Sequence, residues 1–305
     1  MLRRIALLPL FALVLVGCGG GDEAEDTTAS DTGAADSATD VASEGESATE
    51  EDSEPEAETG SEDTGAAAGD LGLAEEGSIL VGSDIAFAPF EFIGDDGEPQ
   101  GFDIDLMTEI ADRLGVEVEF VNTSFDTIFT QLASGDFDAI ISGITITEER
   151  EQSIAFSDPY FAANQALAVG ADSEVTGVDG LAGAQLAVQA GTTGLDYATE
   201  SFTDATIVEF PTSEAAFGAL TSGQVDAVFI DLPVVAEQVE SSGGAVEQAA
   251  EVETGELYGI GVQQDNTALA EAISTELAAV IADGTYEEIY GTWFAGEVPE
   301  QFAGE

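Results

Sequence analysis

The chain has 305 residues, of which 63 are acidic and 4 basic; it contains no histidine and carries a formal charge of −59 at pH 7. All the basic residues are arginines, and two of them, Arg3 and Arg4, stand at the extreme N-terminus. With so few cations the chain has almost nothing to neutralise phosphates, which sets nucleic acid aside as a partner. About two-thirds of the acids lie from Ser78 onward, so the excess belongs to the folded part and not only to a tail. Self-repulsion on that scale burdens a fold in dilute buffer. At molar salt the screening length falls to about 3 Å and the burden largely disappears, so a high-salt exterior, that of a halophile, is the expected setting.

The first segment reads as a targeting signal. Met1 to Arg4 is a short positive stretch, and Ile5 to Val16 is an apolar run too short to span a bilayer comfortably. It ends in Leu15-Val16-Gly17-Cys18, which resembles the lipobox of bacterial-type lipoproteins, where the cysteine is lipidated. The alternative is cleavage at Gly17 leaving a spare thiol. Cys18 is the one cysteine of the chain and can close no internal disulfide, so residues 1–18 are expected to be a lipoprotein signal peptide with a lipidated Cys18. From Gly19 to Gly77, Asp, Glu, Ser, Thr, Ala and Gly dominate. Such a segment buries too little apolar surface to offset its ordering entropy, and residues 19–77 are expected to be a disordered acidic tether.

Beyond it, strand and helix signals alternate. Ser78 to Ser83 reads as a strand, Pro89 to Ile93 as a turn and second short strand, and Gly94 to Gly97 as a tight turn. Gly101 leads into an amphipathic helix with Ile104, Met107, Ile110, Ala111 and Leu114 on one face and Gly115 as its stop. Arg113 falls in its last turn, four residues after Glu109, where pairing across one turn accounts for it. Val116 to Val121 and Ala139 to Ile141 read as strands, and Phe125 to Leu132 as a helix. Strands separated by helices of this length imply parallel pairing. Leu257 to Val262 reads as a later strand, Thr267 to Ala282 and Tyr286 to Phe294 as helices. No second apolar stretch is long enough to cross a membrane.

One stretch carries unusual chemistry. The strand at Ala139 to Ile141 runs into Ser142, Gly143, Thr145 and Thr147, and then Arg150. A strand end of that kind can present backbone N–H groups and hydroxyls at one point, and a guanidinium grips a carboxylate through two parallel hydrogen bonds. Together they make an anion clamp. The competing account is a surface arginine paired with Glu148 or Glu149. A second unit echoes the first: Leu132-Ala-Ser-Gly-Asp-Phe-Asp-Ala-Ile and Leu220-Thr-Ser-Gly-Gln-Val-Asp-Ala-Val both place a Ser-Gly helix stop before a strand. The second strand runs into Ile230-Asp231-Leu232-Pro233. Two such α/β units suggest two lobes whose loops face one cleft.

These motifs carry a family resemblance. GITITEER with FSDPY, GFDIDLMTEIADRLG (Gly101 to Gly115), LYGIGV (Leu257 to Val262) and GTYEEIYGTWF (Gly284 to Phe294) occur in the order found in family 3 extracellular solute-binding proteins, which include glutamine- and histidine-binding receptors of ABC importers. The resemblance covers the chain from about Ser78 to its end. It implies an α/β, two-lobed periplasmic-binding-protein-like fold (type II) with the ligand cleft between the lobes. Lobe 1 would comprise 78–164 and 258–305, lobe 2 165–257, with crossings near Phe161 to Gln165 and Gly255 to Tyr258. It also implies a receptor outside the cell for a polar L-amino acid, glutamine-like or basic. The expected partners are that ligand and ABC permease and ATPase subunits, with the membrane reached through the lipid only. No cofactor or metal is expected, and the protein is expected to be a monomer. A sensory receptor of the same fold, or a dehydratase acting on a carboxylated ring, are the alternatives; the latter would have only carboxylates or tyrosine for acid–base work.

The site would be assembled as follows. Arg150 takes the ligand's carboxylate, aided by Ser142, Gly143, Thr145 and the Gln189-Ala-Gly-Thr-Thr193 loop, including Thr192 and Thr193. Asp231 takes the ammonium, unless it merely caps the following helix. Phe87 and Phe125 resemble the rings that stack on the ligand, though core packing is the commoner fate of phenylalanine. Asp84 resembles the residue facing the ligand's side chain, where it would favour glutamine, arginine, lysine, histidine or ornithine over acidic amino acids; it could instead cap a turn in its own loop. Gln189 and Ile230 depart from the glutamine-binding pattern.

Overall fold

The structure, a computed structural model, describes residues 71–304. The expected signal segment, with Cys18, and the expected tether as far as residue 70 lie outside the described residues. Packed chain begins before Gly77: Leu71 is buried in the core, Asn266 Nδ2 donates to its carbonyl at 2.9 Å, and the Ala74 amide donates to Asp138 Oδ1 at 2.8 Å. The leucines Leu71 and Leu73, apolar among small polar neighbours, dock this stretch on the fold.

Chain order follows the expected alternation. Strand β1 (Ser78–Ser83) is followed by the small β2 (Phe92–Ile93) and β3 (Pro99–Gln100) hairpin, α1 (Phe102–Leu114), β4 (Glu117–Asn122), α2 (Phe125–Ser134) and β5 (Ala139–Ile140). A 3₁₀ turn at Arg150–Gln152 leads to β6 (Ile154–Phe156) and the long β7 (Phe161–Gly170). Then come β8 (Gln185–Gln189), α3 (Thr193–Ser201), β9 (Thr206–Phe210), α4 (Ser213–Thr221), β10 (Ala227–Asp231), α5 (Leu232–Ser241) and β11 (Val246–Tyr258). The chain ends in β12 (Gly261–Gln263), α6 (Thr267–Ala282) and α7 (Thr285–Trp293).

Two five-stranded sheets result, ordered β4-β1-β5-β12-β6 and β11-β7-β10-β8-β9, one in each lobe. Parallel pairing holds where helices link the strands, at β1 with β4 and β5 and at β8 with β9 and β10. Pairing is antiparallel at β12 and at β7 with β10 and β11, so both sheets are mixed. The reason lies in the crossings: β7 and β11 run side by side from Phe161 opposite Tyr258 to Gly170 opposite Val246. The expected single strand Leu257 to Val262 is accordingly two pieces, since the chain leaves β11 at Tyr258 and joins the other sheet at Gly261.

An aromatic cluster anchors these crossings. Phe161 on β7 packs within 5.0 Å (ring centroids) of both Phe90 and Phe294 and within 5.6 Å of Phe102 and Tyr258. Rings at such separations contribute about 0.5–1.5 kcal/mol per pair beyond area burial. The helices keep the apolar face read from their spacing: Ile104, Met107, Ile110 and Ala111 are buried on α1, and Gly115 closes it with a left-handed φ of 73°. Arg113 Nε pairs with Glu109 at 2.7 Å, and its Nη1 also reaches Asp283 at 2.8 Å, tying α1 to the turn before α7.

Candidate functional site

Strand ends set the site. β1, β5, β8 and β10 finish at Ser83, Ile140, Gln189 and Asp231, and the loops leaving them converge at the carboxyl edges of both sheets, the position at which α/β sheets hold ligands. A small, largely enclosed pocket of about 10 Å³ lies there. Asp84, Phe87, Phe125, Ser142, Gly143, Thr145 and Arg150 line it from the first lobe, and Gln189, Thr192, Thr193 and Asp231 from the second. Every site residue singled out from the sequence is thus brought to one pocket. Among the described residues no group of His, Cys, Asp and Glu is arranged to hold a metal ion.

Arg150 is placed as a fixed cation. Its Nη1 donates to the Thr145 carbonyl at 2.8 Å and its Nη2 to the Gly191 carbonyl, across the cleft, at 3.2 Å. The guanidinium lies over the Phe129 ring at 4.6 Å and the Phe125 ring at 5.5 Å. Among the described residues both ion pairs belong to Arg113, and none of their carboxylates comes within 4.0 Å of Arg150. Pairing with Glu148 or Glu149 is therefore not its role. Burial pulls its pKa down to about 10, against the pull of Glu256 and other nearby carboxylates, and at neutral pH it stays charged. A guanidinium has five N–H donors, and carbonyls take two of them here.

Asp231 is 8% exposed at the first position before α5, yet its side chain makes no helix cap. Its Oδ1 accepts from Gln165 Nε2 at 3.0 Å and from the Tyr258 hydroxyl. Burial, and then the charge of Glu256, push its pKa up to about 7. Asp84 likewise does not cap its own turn: its Oδ2 accepts from Gln189 Nε2, on the other lobe, at 2.6 Å. Burial raises it to about 6, with the Gln189 bond acting in the opposite direction. Phe87 and Phe125 are each buried in a core cluster, and each also lines the cavity.

Several donors expected at the pocket are already committed. The Ser142 hydroxyl donates to Glu91, and the Gly143 amide donates to Asp103 Oδ2 at 2.9 Å. Tyr160 also donates to Asp103, at 2.8 Å. Glu91 and Asp103 are both fully buried; burial lifts Asp103 to about 6, and burial with the Asp103 charge lifts Glu91 well above the carboxylate range. This pair holds the Ser142-Gly143 turn from behind. Gly143 takes φ 53°, and a Cβ there would lie 2.8 Å from Phe87 Cε1, so only glycine fits against that ring. The Thr192 hydroxyl accepts from the Leu195 amide and donates to the Gln189 carbonyl, capping α3.

Besides Phe129, Glu91 and Asp103, three residues beside Asp231 and the two threonines were not singled out from sequence. Glu256, 9% exposed, accepts from the Thr145 hydroxyl at 2.6 Å, the Thr193 hydroxyl at 2.9 Å and Gln165 Nε2 at 3.1 Å. Gln165 thereby bridges Glu256 and Asp231, while Tyr258 supports Asp231. All three lie in the stretches expected to cross between lobes, but only the pairing of β7 with β11 brings Gln165 and Glu256 together.

Two lobes joined by paired crossing strands, with carboxylates and an arginine facing each other in the cleft, define a two-lobed solute-binding protein. Residues 79–296 match the bacterial extracellular solute-binding proteins, family 3, and the chain belongs to that family. It is 34% identical to the ABC transporter arginine-binding protein 1 of Escherichia coli (strain K12) over 228 residues, 73% of this chain and 93% of that protein. It is 32% identical to the histidine-binding periplasmic protein of the same organism, over 72% of this chain and 89% of that one. Among solved structures, an ancestral arginine-binding protein bound to glutamine is similar with a TM-score of 0.70 and 39% identity, over 73% of this chain and 100% of that one. The arginine-, lysine-, histidine-binding protein ArtJ from Geobacillus stearothermophilus gives 0.69 and 37%, over 73% and 97%.

Proposed function

We propose that this protein is the extracytoplasmic receptor of an ABC importer for a polar L-amino acid, basic or glutamine-like, and that its lobes close around that ligand. The reading rests on Arg150, a buried-side cation with no carboxylate partner of its own among the described residues, set in a pocket with Asp231 and Asp84. Arg150 takes the ligand's carboxylate, Asp231 its ammonium, and Asp84, joined by Gln189, its side-chain donor. Phe87 and Phe125 cover the aliphatic stem. Relatives named for arginine, histidine and glutamine binding support the same class.

Because one small ligand touches both lobes, its differential contacts favour the closed arrangement. Calorimetry at molar salt and pH 8, where Asp231 has lost its proton, tests this. Arginine, lysine, ornithine, histidine or glutamine should bind, and aspartate and glutamate should not. If no amino acid binds, the reading is wrong.

The remaining assignments are proposals of the same kind. The chain reaches the membrane through lipid on Cys18, residues 19–70 tether the folded part, and permease and ATPase subunits complete the importer. Mass spectrometry of the native N-terminus is expected to find an acylated Cys18; an unmodified protein recovered wholly in the medium contradicts the anchor.

A further inference from the structure

Glu256 holds the two hydroxyls that the proposed clasp assigns to the ligand's carboxylate. Thr145 and Thr193 come from opposite lobes, their oxygens 3.5 Å apart, and both donate to the same Glu256 oxygen, Oε2, at 2.6 and 2.9 Å. A hydroxyl has one proton to donate. While it serves Glu256 it cannot serve a second carboxylate. Glu256 is also the foremost of the charged groups acting on Arg150, although it does not come within ion-pair distance of it. A ligand carboxylate seated on Arg150 therefore meets a like charge and two donors already occupied. Gln165 Nε2 links Glu256 Oε1 to Asp231 Oδ1, so a shift of Glu256 is felt at the ammonium seat as well.

We propose that Glu256 is an internal competitor for the carboxylate seat: its side chain latches the lobes through Thr145 and Thr193, and an incoming amino acid binds by taking those hydroxyls from it. This rests on the reading of the clasp given above. A latch that occupies the seat lowers affinity, because the ligand must displace it; a brace that merely positions the threonines would raise affinity. The two roles thus predict opposite signs. The latch also acts only on ligands that carry an α-carboxylate, which gives a second, independent readout.

The test is calorimetry on the full chain at molar salt with arginine and with agmatine, its analogue lacking the α-carboxylate. Glu256→Gln keeps the shape and removes the charge. It is expected to tighten arginine binding about tenfold and to leave agmatine binding unchanged or weaker, so that the preference for the carboxylated ligand rises. If the Gln variant does not fold, Glu256→Ala, which also frees both hydroxyls, must give the same sign. Wild-type protein that binds amino acids while the variant binds arginine equally or more weakly overturns the competition alone. A parallel gain for agmatine also overturns it. Wild-type protein that binds none of arginine, lysine, ornithine, histidine and glutamine overturns the clasp, and the competition with it.

Discussion

Replacing Arg150 with alanine is expected to cost about 2–5 kcal/mol of ligand affinity, a loss of tens- to thousands-fold. The size of the effect follows from what the substitution strands. A carboxylate entering the pocket gives up its hydration, and in a partly dried cleft that penalty is returned only by a matched cation. Arg150 is held for the purpose: two carbonyls, one from each lobe, fix the plane of the guanidinium, and the Phe125 and Phe129 rings support its face. Alanine removes the charge, the cross-cleft bond to Gly191 and the ring contacts together. Arg113→Ala is the control. Its partners Glu109, Asp283 and Thr285 all lie away from the cavity, so it can lower stability while leaving affinity unchanged. Calorimetry on both variants decides the matter, and an Arg150→Ala protein that binds as well as the parent sinks the clasp.

The second large effect concerns salt. The chain carries 63 acids against 4 basic residues, and the ion pairs among the described residues neutralise only Glu109 and Asp283. The other surface carboxylates repel one another, and that repulsion is worse in the compact state than in an expanded chain. The melting temperature is therefore expected to rise steeply from low salt to molar salt and then level off, as the screening length shrinks from about 10 Å at 0.1 M to about 3 Å at 1 M. Thermal melts followed by circular dichroism across that range provide the measurement. A melting temperature indifferent to salt would remove the case for a halophilic setting. The buried carboxylates near the pocket respond differently: Asp84 and Asp231 titrate at about 6 and about 7 because burial disfavours their charge, and bulk salt reaches them poorly.

Much of this protein was legible before any coordinates. The 3.6-residue spacing of Ile104, Met107 and Ile110, and the glycine that stops their helix, are local signals that burial then uses unchanged. Gln189 and Asp231 end their strands, Asp84 and Ser142 lie just past theirs, and strand ends in α/β lobes face the cleft, so a linear motif was enough to group them. Which donors remain for a ligand was decided only by tertiary structure. Ser142 and Gly143 look available in sequence, yet Glu91 and Asp103, some fifty and forty residues earlier, claim them from within the core. Glu256 and Gln165 are 91 residues apart and meet because β7 and β11 pair as they cross between lobes. A hydrogen bond is satisfied by whatever lies within about 3 Å, and sequence spacing carries no record of that once the chain has turned back on itself. For the same reason Leu257 to Val262, one apolar run in the sequence, is divided between two sheets: hydrophobicity marks a strand, and only the crossing decides which sheet receives each part.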